Sequence, residues 1–188
     1  MTERGDSPTV GRRRPGEGAP TAIPESHRAQ APKSVGCFVL TVSDTKTPET
    51  DTSGALIRDL LAGAGHTLAG SAIVKDEPVD VARVVREACA REGVQAVIVT
   101  GGTGVTSRDS TYEAIEALLD KRLPGFGELF RMLSYEEVGA AAMLSRAQLG
   151  IRGRRIVASL PGSPNACRLA LEKLLLPELG HLVREASR

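Results

Sequence analysis

The stretch VQAVIVTGGTGVTSRDSTYEAIEALL, residues 94–119, decides the fold. Its β-branched apolar run at 97–100 predicts a strand that is buried on both faces. The run ends in TGGTG, residues 100–104, where three glycines tolerate positive φ and let a ligand approach the backbone. A helix is predicted next, because Ser110 and Glu113 have the spacing of a capping box. The apolar residues of that helix recur at helical spacing and are Ala114, Ile115, Leu118 and Leu119.

The glycine turn between this strand and this helix has the features of an anion site. Oriented backbone amides and the positive end of a helix dipole both favour negative charge there, and Arg108 and Asp109 stand at its rim. The turn is neither a P-loop nor a GxGxxG fingerprint, because the spacing of Gly101, Gly102 and Gly104 fits neither motif. Two interpretations remain open: a loop that binds phosphate or another anion, and a tight turn without a ligand.

Length and cysteine usage describe an ordinary globular chain. At 188 residues the chain suits one domain, which can bury roughly 70% of its unfolded surface without disulfides or metals. The cysteines are widely spaced, so we expect small buried residues in a reducing compartment; they are Cys37, Cys89 and Cys167. No histidine lies at ligand spacing from a cysteine, which argues against a zinc site. The histidines are His27, His66 and His181.

Charge and aromatic content exclude several classes of partner. A net charge of +1 and the absence of tryptophan make nucleic-acid binding a poor fit. No apolar run approaches the roughly 20 residues of a membrane span, and the N-terminus has no apolar signal core. We therefore expect a cytoplasmic protein with no membrane partner.

Residues 1–33 differ from the rest of the chain. They hold five of the eleven prolines and almost no large apolar residues, so they cannot bury enough surface to offset the entropy of ordering. The sequence predicts a disordered tail over 1–33 and a folded domain over 34–188. The arginine cluster at 12–14 belongs to a solvated tail or forms a weak tether to an acidic partner.

The folded part begins with three strand-then-helix units. A strand is predicted over 35–45, followed by a helix for which Asp51, Thr52 and Ser53 are possible N-caps. A second strand is predicted over 68–75, with another helix after it, and 97–100 begins the third unit. Short connections between such units favour a parallel sheet covered by helices on both faces.

Acidic residues stand where the predicted strands end. Residues 43–44, 76–77 and 103–109 leave the first three strands at the edge where ligands of such sheets bind. Carboxylates beside an anion loop repel the anion unless Mg²⁺ lies between them. Asp76 and Asp109 are therefore candidates to hold a metal or to position a phosphoryl group. The alternative for each is a helix cap.

The remaining sequence contains a helical run within 121–153 and one more strand-to-helix transition. The aromatic and methionine residues of the run are Phe126, Phe130, Met132 and Tyr135, for which core packing is the default explanation and a subunit contact the next. A strand over 155–160 is followed by a possible N-cap, Ser163, and by Pro164 at a favoured first helical position. This second amide-rich helix start is expected to face the first.

Several motifs together resemble the MoaB/Mog family of molybdenum cofactor biosynthesis proteins. They are TGGTG at 100–104, RD at 108–109, PGFGELFRMLSYEEVG at 124–139, LSR at 144–146 and LPGSPNAC at 160–167. The resemblance spans roughly 35–183. DTSG at 51–54 and FRMLS at 130–134 are closer to the B branch than to the longer Mog branch.

The resemblance implies a single three-layer α/β/α domain with a mostly parallel central sheet. It also implies a homo-oligomer, either a trimer or a dimer of trimers, that binds molybdopterin. In active members AMP is transferred from ATP to the terminal phosphate of the pterin with Mg²⁺, giving adenylyl-molybdopterin and pyrophosphate.

The family's functional residues match positions of this sequence. Asp76 and Asp109 match its essential carboxylates, which would place Mg²⁺, and Ser134 matches a serine that contacts substrate. The residues that would hold nucleotide or pterin phosphate are Gly101, Gly102, Thr103 and Gly104. The facing wall would consist of Pro161, Gly162 and Ser163. The reaction needs no thiol nucleophile, so Cys167 is assigned to packing.

Two functions remain open at this point. One is an active molybdopterin adenylyltransferase; the other is a molybdopterin-binding or carrier protein without catalysis, acting beside other proteins of the pathway. Some B-branch members lack one of the two acidic residues, whereas this chain has both, which favours activity. The resemblance leaves open a molybdenum or a tungsten pathway, and a trimer or a hexamer.

Overall fold

The computed structural model describes residues 31–107 and 109–188. The predicted tail over 1–33 lies outside this part of the chain apart from its last three residues, and Arg108 lies outside it as well. Ala31 and Pro32 contact the last helix at Gly180. No helix in the described part of the chain is long and apolar enough to cross a membrane.

A six-stranded sheet forms the centre of the molecule, and helices connect most of its strands. The strands are β1 (Gly36–Val42), β2 (Thr67–Val74), β3 (Ala96–Thr100), β4 (Lys121–Arg122), β5 (Gln148–Arg152) and β6 (Arg155–Leu160). The α-helices are α1 (Thr52–Gly63), α2 (Pro78–Ala90), α3 (Thr111–Glu116), α4 (Pro124–Val138), α5 (Pro164–Ala170) and α6 (Leu176–Ala186). A 3₁₀-helix (Gly139–Leu144) follows α4, and a π-helical turn (Leu171–Leu175) joins α5 to α6.

The strands lie in the order β2-β1-β3-β6-β5-β4. β1 pairs in parallel with β2 and β3, and β3 pairs in parallel with β6. β5 runs antiparallel to β6, and β4 antiparallel to β5. The sheet is thus mostly parallel, as predicted, with one antiparallel hairpin toward its edge.

The two faces of the sheet carry separate hydrophobic cores. Alternate residues of β1 point to opposite faces, so Cys37 and Val39 join one core while Phe38 and Leu40 join the other. The first core includes α1, α4, α5 and α6, and the second includes α2 and α3. Two helical layers around one sheet confirm the predicted three-layer α/β/α domain.

The hairpin of β5 and β6 is the main departure from the sequence prediction, which placed no strand within 121–153. A two-residue connection at Gly153 and Arg154 joins the two strands, and Gly153 has a φ of +57°. A side chain at Gly150 would meet Lys121 O at 2.5 Å, so the close approach of β4 requires glycine there. Gly150, together with the polar residues Gln148 and Arg152, leaves β5 without the apolar run by which strands are recognised.

The aromatic and methionine residues of α4 divide into two groups. Phe126 and Phe130 are buried, and their rings stack with centroids 6.4 Å apart, which confirms core packing for this pair. Met132 and Tyr135 are 56% and 64% exposed, so core packing is wrong for them. They belong to an exposed apolar surface, the α4 patch, which comprises Leu129, Met132, Tyr135, Val138, Met143 and Leu144.

The three cysteines are all free thiols. Cys37 and Cys167 are fully buried, as predicted, whereas Cys89 is partly exposed, so the prediction of burial is wrong for Cys89. Burial raises the pKa of the Cys37 thiol to about 12 and that of the Cys167 thiol to about 11. Both are therefore protonated at neutral pH, and packing is confirmed as their structural role.

Candidate functional site

A cavity of about 220 Å³ lies where β1, β3 and β6 end. Three loops converge there, because these neighbouring strands are parallel and share their carboxyl edge. The lining residues include Thr41, Lys46, Asp51, Gly101, Gly102 and Gly162. Three of the predicted site residues, all glycines, are thus brought to one cavity.

Backbone conformation and close neighbours both favour glycine at the first two positions of the turn. Gly101 and Gly102 have φ values of +105° and +62°. A Cβ atom on Gly101 would lie 2.2 Å from Val42 O, and one on Gly102 would lie 2.2 Å from Thr111 Oγ1. The amide of Gly101 donates to Leu160 O at 3.1 Å, so it holds the two loops together and is not free for a ligand.

The loop after β6 faces the glycine turn, as the sequence predicted. Thr100 Oγ1 donates to Pro161 O at 2.9 Å, and Ser53 Oγ donates to Gly162 O at 2.7 Å. A Cβ atom on Gly162 would be 3.4 Å from the Cα atom of Gly101. Ser163 is the N-cap of α5, and its hydroxyl accepts from the amide of Ala166.

Asp76 follows β2 and lies beside the glycine turn. Its Oδ1 accepts from Ser110 Oγ at 3.0 Å and from Thr111 Oγ1 at 3.3 Å. Its Oδ2 would be 2.4 Å from a Cβ atom on Gly102 and accepts no hydrogen bond from residues 31–107 or 109–188. The N-cap of α2 is Glu77, without a side-chain cap bond, so the helix-cap alternative is wrong for Asp76.

The start of α3 differs from the predicted capping box. Ser110 is the N-cap residue, but its hydroxyl donates to Asp76 and makes no cap bond to the helix. Glu113 forms an ion pair with Arg146 instead of reaching back to the cap. α3 ends at Glu116, so the predicted helix was too long. The loop contact with Asp76 competes with the local motif, which sequence spacing does not reveal.

Asp109 stabilises the loop that follows the glycine turn. Its Oδ2 accepts from Thr106 N at 2.9 Å and from Thr106 Oγ1 at 2.6 Å. This hydroxyl contact is the main reason that the pKa of Asp109 lies below its ordinary value; desolvation opposes it, while the amides of Thr106 and Gly104, and Arg146, add to the lowering. Asp109 is therefore ionised at neutral pH and, like Asp76, does not cap a helix.

Arg146 is a site residue to which the sequence analysis gave no role. It follows the 3₁₀-helix, and its Nε donates to Thr103 O at 3.3 Å while its Nη2 donates to Asp109 O at 3.0 Å. Its guanidinium carbon lies 5.0 Å from the centre of the Tyr112 ring. Arg146 thus connects both ends of the loop at 103–109. The LSR motif was the available signal, but it does not show what the arginine contacts.

Two further residues of the cavity wall come from the loop between β1 and α1. Asp51 is only 2% exposed, accepts from Thr41 Oγ1 at 2.7 Å, and is the N-cap of α1 through a bond from Gly54 N at 2.9 Å. Lys46 is the cation among the residues that line the cavity, and its Nζ donates to Thr50 O at 3.0 Å. One of the three predicted N-caps is thereby confirmed, and Lys46 adds a positive charge that the sequence analysis overlooked.

Other predicted site residues lie around the cavity rather than in its wall. Thr103 is buried within the glycine loop. A Cβ atom on Gly104 would be 2.7 Å from Asp109 Oδ2, so glycine is needed there as well. Ser134 is 8% exposed and lies on α4, which packs against α5, but it does not line the cavity.

The donor set fits Mg²⁺ that is shared with a phosphorylated substrate. Within residues 31–107 and 109–188, no group of three or more His, Cys, Asp or Glu side chains could form a complete metal site. Mg²⁺ commonly takes only one or two carboxylates and fills its remaining positions with water and phosphate oxygens. Asp76 Oδ2, which no described donor occupies, is suited to such a role.

Comparisons with known proteins assign the chain to a family. Residues 38–181 match the family described as "Probable molybdopterin binding domain". Molybdenum cofactor biosynthesis protein B of Bacillus anthracis is 53% identical over 163 residues, which cover 86% of this chain and 96% of that protein.

Two solved structures agree with this assignment. A crystal structure of molybdenum cofactor biosynthesis protein B is 53% identical and has a TM-score of 0.81. The match covers 84% of this chain and 98% of that one. The tungsten cofactor synthesizing protein MoaB from Pyrococcus furiosus is 42% identical and has a TM-score of 0.75. The match covers 84% of this chain and 100% of that one. The chain therefore belongs to the MoaB/Mog family of molybdopterin-binding-domain proteins.

Proposed function

We propose that this protein acts in molybdenum cofactor biosynthesis by transferring AMP from Mg-ATP to molybdopterin. The products would be adenylyl-molybdopterin and pyrophosphate. The observation that carries the proposal is the placement of two carboxylates on one glycine turn, Asp76 against Gly102 and Asp109 against Gly104. Both carboxylates thus adjoin a potential phosphate site, and Mg-dependent phosphoryl chemistry uses acidic groups of this kind.

The proposed reaction forms one bond and breaks one. A terminal phosphate oxygen of the pterin attacks the α-phosphorus of ATP, and the bond from that phosphorus to the bridging oxygen breaks, so pyrophosphate leaves. Such a transfer needs alignment and charge neutralisation rather than a covalent enzyme intermediate. Cys167 is unsuited to a nucleophilic role, since its thiol contacts Thr100 Oγ1 at 3.2 Å and burial raises its pKa to about 11.

Different residues of this chain would bind the phosphates, hold Mg²⁺ and position the loop at 103–109. Lys46 and the amides of Gly102 and Thr103 would bind phosphate oxygens, and Asp76 and Asp109 would hold Mg²⁺. When bound, Mg²⁺ would neutralise the charge that develops on the departing pyrophosphate. Arg146 would position the loop that carries Asp109, through its contacts with Thr103 O and Asp109 O.

The test is an assay for AMP transfer with matched variants. Purified protein is incubated with molybdopterin, Mg²⁺ and ATP, and pyrophosphate and adenylyl-molybdopterin are measured. In Asp109→Asn the amide oxygen can still accept from Thr106, so we expect a folded protein whose turnover falls at least about 100-fold. Asp80→Asn is the control, because Asp80 makes an exposed ion pair with Arg83 on α2 and the charge change is the same.

The outcomes separate the two functions that the sequence left open. Equal turnover in wild type and Asp109→Asn would defeat the assignment of Asp109. Binding of molybdopterin by the wild type with no consumption of ATP would identify a carrier protein instead of an enzyme. The proposed step concerns the pterin, so it applies equally before insertion of molybdenum or tungsten.

The proposal includes a homo-oligomer, a trimer or a dimer of trimers. The α4 patch supports it, because six apolar side chains, each 48% or more exposed, extend from α4 into the 3₁₀-helix. Exposed apolar side chains on neighbouring elements are typical of subunit contacts. Arg146 lies two residues beyond the patch, so a subunit contact there would adjoin the loop at 103–109.

A further inference from the structure

A second pocket, which the proposed function does not use, lies at the opposite edge of the sheet. It has a volume of about 500 Å³, and four arginines line it together with Cys89 and Asp120. The arginines are Arg86, Arg152, Arg154 and Arg155. The sequence analysis gave none of them a role, since they come from α2 and from the β5–β6 hairpin and meet only in the folded chain.

The arginine pocket is remote from the glycine turn. β6 begins with Arg155, which lines the pocket, and ends at Leu160, next to the loop of the candidate site. At about 3.3 Å per residue, the strand separates the two sites by roughly 17 Å. A ligand in the arginine pocket is therefore distinct from one in the cavity described above.

The geometry of the hairpin places like charges together. Arg152 and Arg155 are directly opposite each other in the antiparallel pair, an arrangement that is unfavourable for two cations. Backbone carbonyls hold both side chains, since Arg152 Nη1 donates to Leu118 O at 2.9 Å and Arg155 Nε donates to Cys89 O at 3.3 Å. The charges are thus held beside the pocket, with further N–H groups of each guanidinium left for a ligand.

Within the described part of the chain, the positive charge of this cluster is mostly not neutralised. None of the four arginines forms an ion pair with a residue of 31–107 or 109–188. Asp120 is the acidic group of the lining, and its Oδ2 accepts from the amide of Gly153. Four cations against one anion leave an excess of three positive charges that an external anion would neutralise.

The lining also indicates the class of anion. Its uncharged members are small, Cys89, Ala90 and Gly153, so a ligand would gain little from apolar contact. Guanidinium forks match the oxygens of phosphate, and four of them exceed what a single phosphate needs for bidentate contacts. The volume is that of a small-molecule pocket. We propose that the arginine pocket binds a polyphosphate, a small molecule with two or more linked phosphates.

Glycine resonances provide a test on the full-length protein. ¹⁵N-glycine-labelled protein is titrated with tripolyphosphate at fixed ionic strength, and the Gly153 amide is assigned by its loss in Gly153→Asn. We expect a saturable shift of Gly153 and a midpoint at least ten-fold lower for tripolyphosphate than for inorganic phosphate. ATP is titrated in parallel: a lower midpoint than that of tripolyphosphate identifies a nucleotide, and an equal one an inorganic polyphosphate. Both results support the proposal.

Matched variants connect the shift to the arginines. Arg86→Ser with Arg154→Ser removes two exposed guanidiniums without hydrogen bonds to described residues, so the fold should persist; Arg154→Glu alone is a second variant. We expect the midpoint for tripolyphosphate to rise at least ten-fold in both variants. The control is Arg168→Ser with Arg188→Ser, which changes the net charge as much as the first variant does. Its midpoint should change less than two-fold. A shift that does not saturate, equal binding of inorganic phosphate, or equal losses in pocket and control variants would overturn the proposal.

Discussion

A methyl group on the glycine turn is the sharpest perturbation of the candidate site. Gly102→Ala adds a Cβ atom at a residue with a φ of +62°, where it would lie 2.2 Å from Thr111 Oγ1 and 2.4 Å from Asp76 Oδ2. Both atoms belong to side chains rather than to the backbone, so a shift of the Asp76 carboxylate can relieve part of the clash. We therefore expect a folded protein in which the Asp76 carboxylate has moved.

The structure sets the size of the effect on stability. Alanine in the left-handed region costs about 1–2 kcal/mol. Displacing Asp76 also breaks its hydrogen bonds from Ser110 and Thr111, at about 0.5–1.5 kcal/mol each. The expected loss is about 2–5 kcal/mol. For a chain of this size each kcal/mol corresponds to about 2–4 °C in Tm.

Gly65→Ala is the matched control for this substitution. Gly65 has a φ of +82°, and no atom lies within 4 Å of where its Cβ would be, so alanine there adds strain without a clash. We expect Gly65→Ala to lose about 1–2 kcal/mol and to keep full AMP transfer. Urea unfolding gives the two stabilities, and AMP transfer is measured at a temperature where both variants are folded.

The comparison of the two variants can refute the reasoning. We expect Gly102→Ala to lose at least about 100-fold in AMP transfer, because the displaced carboxylate no longer faces the turn. Equal stabilities and equal turnover in Gly102→Ala and Gly65→Ala would refute the reasoning. They would show that the position of Asp76 does not depend on the absence of a side chain at Gly102. If Gly65→Ala loses turnover to the same extent, the loss in Gly102→Ala results from destabilisation of the fold.

Three further predictions concern the loop and the surface. Arg146→Met removes the contacts with Thr103 O and Asp109 O, so amide exchange in the loop at 103–109 should rise at least about ten-fold by hydrogen-exchange measurements; unchanged exchange would contradict the role of Arg146. The lowered pKa of Asp109 stabilises the fold above the ordinary carboxyl pKa of about 3.9. The Tm advantage of wild type over Asp109→Asn should therefore be full above about pH 5 and disappear as the pH falls below about 4; an advantage that grows in acid would have the wrong sign. Met132→Lys with Tyr135→Lys should reduce the molar mass measured by light scattering, and an unchanged mass would exclude the α4 patch as the subunit contact.

The parts of the fold that the sequence predicted share one property: the signal is local. The apolar run before the glycine turn and the helical spacing of α1 each lie within about a dozen consecutive residues. β5 has no such signal, because Gly150 interrupts it and its pairing with β6 depends on the turn at Gly153. Local patterns thus identify strands that face two helical layers more readily than a hairpin near the sheet edge.

The candidate site shows the same limit more strongly, because its residues act through contacts between distant segments. Ser110 has the spacing of a capping residue, yet it donates to Asp76, 34 residues earlier in the chain. Arg146 contacts Thr103, 43 residues before it. Sequence spacing predicts which side chains can cap their own helix. It does not show when a side chain forms a hydrogen bond to a distant segment instead.

Because of these contacts, the positions of the two carboxylates depend on different parts of the chain. Asp76 is held by hydroxyls at the start of α3, whereas Asp109 is held by Thr106 in its own loop. A change at the start of α3 should therefore affect Asp76 first, and a change at Arg146 should affect Asp109 first. Since Gly102 lies against Asp76 and Gly104 lies against Asp109, the glycine turn is the element that both carboxylates share. For this reason the geometry of the turn, rather than the presence of either acid alone, should decide whether the site transfers AMP.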